Sequence, residues 1–596
     1  MTTNTKTPLA EAIQARARGV RRGFNATNIM FVIATLPVIW FLGLPLLMLV
    51  YMSFHTGNPI DSGDWTLRNY IGTYTASVTY QTLWNSVVYT FLSVALAISQ
   101  AVVLAWLIER SNMPYRSLAW VLLILPIGLP SILEALAWIL MLNPTNGIIN
   151  VAIRDALGFV GIEMTRGPFN IFTLWGMIWV NAIVGTSTFL LVVGAFRLMN
   201  QELEDAAHAA GANNWVTFRK VTVRVILPAL SVAIIYKLAS DFNDMDVPLL
   251  LGLQDQVFVL PTLVFFSALY ALPPDWGLAT GISSPMILIA IGLSAVYYRF
   301  VVRQAQAQKF ATVTGKRVES RRVDLGKWRR PAFGIFIVHF LIGTGLPILV
   351  LIYASLLPSF RPISFHAFSL MGFESYVDLV NRFNFWTQIR NSLLLGVGNA
   401  TLTMTIAFLI SWVVIRSRVR GRFLLDAAVF VPHILPGSIM GVALIFTYLH
   451  PAFSWIPIYG TIWIMVFGMA TSGLVFSTRV LNGALSQIHS ELEEAASASG
   501  AGRLNVLYRI TLPLIMPAFI TGWFFGFISG FRSVTIPLML ATPSTETVGV
   551  LLFRLMERDG NFAGMAALGM IMVVFTGGVG IALRKAIENA FGGTRK

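Results

Sequence analysis

Twelve apolar stretches, most of 20 or more residues, constrain this 596-residue chain more than any other feature. A helix rises about 1.5 Å per residue, so about 20 apolar residues cross a hydrocarbon core roughly 30 Å thick. Backbone groups in lipid must bond within their own segment, which makes such runs helices. A lipid-facing barrel would show shorter, alternating strands instead. Composition agrees, because 56% of residues are hydrophobic and only 12% charged, where globular chains carry about 25% charged residues. The expected fold class is an all-α polytopic membrane protein with about 12 transmembrane helices.

Hydropathy places the spans near 29–53, 83–107, 117–142, 171–196, 226–253 and 277–298, then 332–357, 391–415, 423–449, 459–478, 514–540 and 561–583. The net charge of +15 is not a nucleic-acid footprint, because the basic residues sit in loops on one side of the spans. The loops at 54–82, 254–276 and 450–458 hold one Lys or Arg between them, Arg68. The linker between the sixth and seventh spans, by contrast, is dense in Arg and Lys from Arg299 to Arg330, and Arg416, Arg418, Arg420 and Arg422 cluster after the eighth span. By the positive-inside rule those basic segments and both termini are cytoplasmic. The polar, basic residues 1–28 are expected to be an uncleaved cytoplasmic segment, since the apolar run after them is too long for a signal-peptide core. With no cysteine there is no disulfide framework or thiolate metal site.

The two sets of six spans are copies. Asn85-Ser86 matches Asn391-Ser392, and Pro126 and Pro130 match Pro432 and Pro436, at an offset of 306. Gly211 matches Gly500, Pro228 matches Pro517 and Pro248 matches Pro537 at an offset of 289, which leaves a 17-residue insertion near 143–170 of the first half. An even number of spans per copy makes the copies run in the same direction, with their repeat axis along the membrane normal and a pathway possible between them.

Between the fourth and fifth spans of each half lies a polar segment. In the second half Ser490 can cap a helix whose third residue, Glu493, reaches back to it. Leu492, Ala495, Ala496 and Ser499 share one nearly smooth face, and Gly500 can end the helix in a left-handed conformation. Such a helix suits a groove in another protein. An ordinary amphipathic connector is the plainer reading of one copy alone, and finding two copies at matching places argues against it.

Glu494-Ala495-Ala496, Gly500, Ile510, Leu512 and Pro513 resemble, position for position, the EAA motif of binding-protein-dependent ABC importer permeases. The first half repeats it as Asp205-Ala206-Ala207, Gly211, Val221 and Val223, with Asp205 in place of Glu and Arg224 in place of the proline. The resemblance covers nearly all of the chain beyond residue 28 and is nearest to fused, two-unit permeases of the ferric-iron group, whose relatives handle thiamine, polyamines, sulfate and aminoethylphosphonate. Phe310 to Lys316 and Asp324-Leu325-Gly326 look like that group's linker.

The resemblance implies a type I ABC importer-like fold of two tandem six-helix permease units, at 29–303 and 332–584. A basic linker (304–331) joins them, between an N-terminal segment (1–28) and a tail (585–596). It also implies an inner-membrane protein served by an external solute-binding protein. Leu203, Asp205, Ala206, Ala207 and Gly211, with Leu492, Glu494, Ala495, Ala496 and Gly500, would dock an ATPase dimer. ATP and Mg would be used by that partner, with no cofactor on this chain. Ferric iron is the expected cargo, with polyamine, thiamine or 2-aminoethylphosphonate as alternatives. The absence of a G-x-x-x-x-G-K-[ST] loop means the chain is not the ATPase. The seven histidines show no ligand spacing, and no nucleophile–base constellation stands out, so no catalytic or metal residue is assigned. The rival is a secondary transporter of the major facilitator kind. It would carry a Gly- and Arg-rich signature between the second and third spans, and only Ile108 to Arg116 stand there.

Ionisable residues inside apolar spans mark a cavity or a partner. Lys237 and Asp241 are four residues apart in the fifth span and can pair, with Asp244 a turn further on and Asp246 beyond it. Arg532 stands at the repeat position of Asn243, and Glu134 lies in the third span. Asp241, Asp244, Arg532 and Glu134 are candidates to line or gate a pathway; mutually neutralising pairs that hold the halves together are the other reading. The prolines of the third and ninth spans are expected to kink them, with the kinks fixed by packing.

Overall fold

The computed structural model describes residues 26–124, 126, 129–183, 186–198, 202–297, 299, 322–417 and 419–591. The regular secondary structure of these residues is helical, apart from two isolated β-bridges. Eight helices among them are long and apolar enough to cross a membrane, and three helix pairs bent by 47°, 65° and 103° bring the spans to as many as 11. The chain is therefore an all-α, multi-pass membrane protein. That count takes each bent pair as one span and leaves out the third span of the first half, which runs through residues outside those described. The third span of the first half consists of Arg116–Ile124 and Ser131–Leu142, and its counterpart of Arg422–Ile434 and Gly437–Leu449, the 103° pair. Pro130 and Pro436 precede the second pieces in extended backbone, each without the N–H a continuous helix would need.

The spans expected at 226–253 and 514–540 also break. Helix Val223–Phe242 stops and restarts as Asp246–Gly252; Leu512–Phe531 stops and restarts as Thr535–Leu540. Pro248 and Pro537 explain the position. In a continuous helix their rings would meet the carbonyls four residues earlier, at Asp244 and Ser533, whereas both fit the first turn of a new helix. Asp244 Oδ1 then accepts the N–H of Asp246 (3.2 Å), a local bond that competes with the helix ladder. Thus Asp244 and Arg532 lie in breaks, and Asp246 opens the short helix after one.

The repeat is visible in detail. A π-helical turn occupies Phe218–Thr222 in the first half and Leu507–Thr511, 289 residues on, in the second. The Asn-Ser pairs have equivalent duties. Ser86 Oγ accepts the N–H of Leu260 and Ser392 Oγ that of Val548, both at 2.8 Å. Each satisfies a donor at the start of a helix, Leu260–Phe265 or Val548–Glu557, that would otherwise lack an intrahelical partner.

The first span of each half leans on the other half. Phe41 of the first span packs against Phe467 with ring centres 4.5 Å apart, and Tyr115 of the first half meets Phe333 of the seventh span at 5.2 Å. Phe336 is fully buried in the first half's apolar cluster with Leu104, Ile108 and Phe189. In the second half the eighth span (Phe385–Arg416) and Leu512–Phe531 approach through small residues: Gly396, Ala400, Gly526 and Gly530. In lipid, association depends on this close packing.

Candidate coupling and pathway sites

The two helices expected to dock a partner form as Glu202–Ala209 and Ser490–Ala498. The second begins at Ser490 itself, and the Ser490 side chain lies outside the described residues. Each ends at a glycine with positive φ, +84° at Gly211 and +86° at Gly500. The N–H of Ala212 returns to Ala207 O and that of Ala501 to Ala496 O, both at 3.0 Å. These are the six-to-one bonds of a Schellman end, and only a residue free of Cβ enters that conformation without strain. Leu203 and Leu492 are 47% and 51% exposed, and Asp205 and Glu494 also face outward. Ala206 and Ala495 are exposed as well, with Ala207 and Ala496 partly covered. An exposed leucine beside small residues and an outward acid makes a partly apolar, negatively charged surface, to which Glu491 adds a second exposed carboxylate on the second helix.

A cavity of about 340 Å³ lies between the halves. Ser240, Asn243, Asp244 and Asp246 line it from the first half; Asn399, Thr403 and His433 are among those lining it from the second. A smaller cavity, about 170 Å³, is lined by Ser131, Asp246, Arg532 and Thr535. The halves exchange polar contacts here with near twofold symmetry. Asn243 Oδ1 accepts from Gly437 N (2.8 Å), at the break of the second half's third span. Its counterpart Arg532 reaches Leu129 O (3.4 Å), at the break of the first half's. Thr535 Oγ1 donates to Asp246 Oδ1 at 3.0 Å, and these two residues are themselves repeat equivalents. The proline breaks therefore expose the backbone to which the opposite half is tied.

Lys237 Nζ donates to Asp241 Oδ1 at 2.5 Å and to Asn181 Oδ1 at 3.1 Å. Asn181 Nδ2 donates to Tyr89 Oη at 2.8 Å, and the Tyr89 hydroxyl donates to Asp244. A chain of polar groups thus runs from the fifth span through the fourth and second to the cavity wall. Asp241, only 3% exposed, is held in the ion pair and is not among the residues lining the cavity, whereas Asp244 is. Glu134 is buried in the first turn of the helix that follows the third-span break. The sequence reading missed Tyr89, Asn181 and the Asp246–Thr535 pair. The 289-residue offset, applied to Asp246, would have found the last. Among the described residues no group of three or more His, Cys, Asp or Glu could hold a metal ion.

Residues 404–591 match the family described as binding-protein-dependent transport system inner membrane component. Over 456 residues the chain is 22% identical to the ferric transport system permease protein FbpB of Actinobacillus pleuropneumoniae, covering 76% of this chain and 63% of that protein. It is 22% identical over 428 residues to a putative FbpB of Haemophilus influenzae, covering 71% of this chain and 64% of that one. The chain thus spans a little under two thirds of these relatives' length. It is 26% identical over 252 residues to the spermidine/putrescine permease PotC of Escherichia coli K12, 42% of this chain and 91% of that one. A bacterial alginate ABC transporter, solved with a pentasaccharide-bound periplasmic protein, aligns over 50% of this chain and 99% of its own at 17% identity and a TM-score of 0.35. By sequence the chain resembles binding-protein-dependent ABC importer permeases of the ferric-iron type.

Proposed function

We propose that this chain is the permease subunit of an ATP-driven importer, fused so that one chain supplies both membrane units. The observation that carries the reading is the pair of docking helices. They stand at equivalent places in the two halves, each closed by a positive-φ glycine and each presenting an unpartnered leucine and acid. The family match over residues 404–591 includes the second of them. Two ATPase subunits grip these helices on the cytoplasmic side, with both termini on that side, and an external binding protein delivers cargo to the opposite face. ATP and Mg serve the partner, and this chain performs no chemistry of its own.

The cavity between the halves is the passage in this scheme. Its wall carries Asp244 and Asp246 together with hydroxyl and amide oxygens, which suits a cation shedding part of its hydration shell. Ferric iron is the cargo favoured by the FbpB likeness; a polyamine, as handled by PotC, is the second reading, and the same acidic wall supports it.

The test is a tagged purification from membranes, with ATP hydrolysis assayed in the eluate, for the wild type and Gly500→Asp. An ATPase subunit that co-purifies with the wild type and is depleted in the variant is the expected result. A chain that purifies alone and transports without ATP refutes the proposal in favour of a secondary transporter.

A further inference from the structure

Each docking helix also carries an inward acid, one residue before Asp205 or Glu494, which neither partner binding nor the pathway uses. Successive residues on a helix are about 100° apart. While Asp205 and Glu494 face outward, Glu204 and Glu493 turn back into the protein. Glu493 Oε1 accepts from Arg416 Nε at 3.0 Å and from Thr511 Oγ1 at 3.1 Å. Glu204 lies 3.6 Å from Arg110 Nη1 and accepts from the Thr222 hydroxyl. The arginines hold a fourth element as well: Arg416 Nη2 donates to Leu485 O (3.1 Å) and Ile488 O (2.9 Å), and Arg110 Nη2 to Phe196 O (2.9 Å).

Every member has its repeat equivalent. Arg110 and Arg416 differ by 306 residues; Glu204 and Glu493, Thr222 and Thr511, and Phe196 and Leu485 differ by 289. In each half the arginine ends or directly follows the second span, the carbonyl belongs to the last turn of the fourth, and the threonine closes the π-helical turn at the base of the fifth. One carboxylate thus joins the docking helix to three spans. The groups are buried or nearly so. Side-chain exposure is 5% and 8% for Arg110 and Glu204, and 14% and 17% for Arg416 and Glu493. The charge-assisted bonds of Arg416 to Glu493 and of both threonines to the carboxylates are short and directional, and Arg110 adds an ion pair at 3.6 Å to Glu204, so both sets resist sliding of the helix against the spans.

From this geometry we infer that Arg110–Glu204–Thr222 and Arg416–Glu493–Thr511 are twin joints that transmit displacement of the docking helices to the spans lining the cavity. The joint rests on the docking reading. Its residues are positioning residues: they touch neither cargo nor ATPase, and act by making helix and spans move together. The fifth span connects the two ends of the mechanism, since it begins at the joint threonine and ends in the break that bears Asp244 or Ser533.

The absence of cysteine allows spin labels to be placed at will. One doubly labelled chain, Glu491→Cys with Arg420→Cys, reports the helix against the second span's end; both side chains are exposed. Another, Ser240→Cys with Ser529→Cys, spans the cavity at repeat-equivalent positions. Each is examined in the full chain with its co-purified ATPase, with and without ATP plus vanadate, in the parent, Glu493→Gln, Thr511→Val and Thr511→Ser. The expected result for Glu493→Gln and Thr511→Val is that the ATPase stays bound, the first pair's distance distribution broadens at least twofold, and the cavity pair keeps less than half of its nucleotide-driven shift. Thr511→Ser, which keeps the hydroxyl, should behave as the parent. A Glu493→Gln chain whose cavity pair responds as fully as the parent's overturns the proposal, whatever happens to the first pair. If no ATPase accompanies the parent chain, the docking reading fails instead. The first pair then still decides the joint: an unbroadened distribution in Glu493→Gln removes it.

Discussion

Replacing Gly530 by alanine tests whether the second half is held together by backbone contact. A Cβ at Gly530 would lie 2.9 Å from Gly396 Cα, 3.2 Å from Asn399 Cβ and 3.2 Å from Leu395 O. Carbon atoms prefer about 3.5–4.0 Å, and two of these neighbours are backbone atoms that no rotamer change can remove. The eighth and eleventh spans must therefore separate by several tenths of an ångström, and overpacking of this kind costs about 1–3 kcal/mol. Against it stands the helical preference of alanine over glycine, about 1 kcal/mol. Gly483→Ala isolates that gain, because a Cβ there meets nothing within 4 Å. The difference between the two variants is then the packing penalty alone. At about 2–4 °C per kcal/mol for units of 150–250 residues, Gly530→Ala should melt roughly 2–12 °C below Gly483→Ala. The assay is the temperature at which the detergent-solubilised, fluorescently tagged chain loses its monodisperse elution peak. Gly526→Ala should fall between them, its Cβ meeting Ala400 Cα at 3.2 Å. Equal midpoints for Gly530→Ala and Gly483→Ala would show that the two spans do not touch as described.

The other predictions concern the cavity, the joints and the linker. Asp244→Asn should reduce ATP-dependent uptake of iron-55 supplied as a ferric chelate at least tenfold while the ATPase still co-purifies; unchanged uptake at equal membrane levels removes Asp244 from the passage. Glu204→Ala should destabilise more than Glu493→Ala in the same melting assay, by up to the roughly 3–5 kcal/mol lost when one partner of a buried ion pair is removed, because the Arg110–Glu204 pair is the more buried. A smaller loss for Glu204→Ala would contradict the burial argument. The Asp324 carboxyl is held below the usual carboxylate range by the Gly326 N–H and the Asn112 side chain. With a depressed folded-state value, its contribution is complete above the ordinary pKa of about 4 and lost as pH falls through the lower one. Protease nicking next to residues 322–326 should accordingly accelerate in Asp324→Ala at neutral pH, and in the wild type only in acid; equal rates at neutral pH would show that the Asp324 contacts with Asn112 and Gly326 do not hold this segment.

Helix content, the tandem repeat and the two short glycine-ended helices were legible because each rests on a simple pattern: apolar length, a constant offset, and a cap signal such as Gly500. The breaks were harder. Pro248 and Pro537 stand within apolar runs that hydropathy alone reads as continuous, and only the clash with the carbonyls of Asp244 and Ser533 stops the helix. The ion pair of Lys237 and Asp241 followed from their spacing. Contacts between distant segments did not, since nothing local announces that the Tyr89 hydroxyl meets Asp244, or that Asn243 ties to Gly437. The Arg–Glu–Thr contacts were within reach, because all three residue types recur at the repeat offsets; Glu493 was read only as the capping partner of Ser490, and Glu204 was not singled out. The linker run from Phe310 to Lys316 lies outside the described residues.

The clasp at the end of the linker separates what the repeat makes alike. Val323 exchanges backbone hydrogen bonds with Arg110 and Asn112, at 2.8 and 3.1 Å, and Asn112 Oδ1 accepts the N–H of Leu325 (3.0 Å). The segment that begins the second half is thereby fastened beside the first half's joint. Because the copies share one chain, neither ever occupies the other's position, and a substitution in one is never imposed on both. Asp205 and Arg224 can drift from Glu494 and Pro513 without disturbing the second helix. The two short helices, equivalent in the repeat, are thus free to present different surfaces.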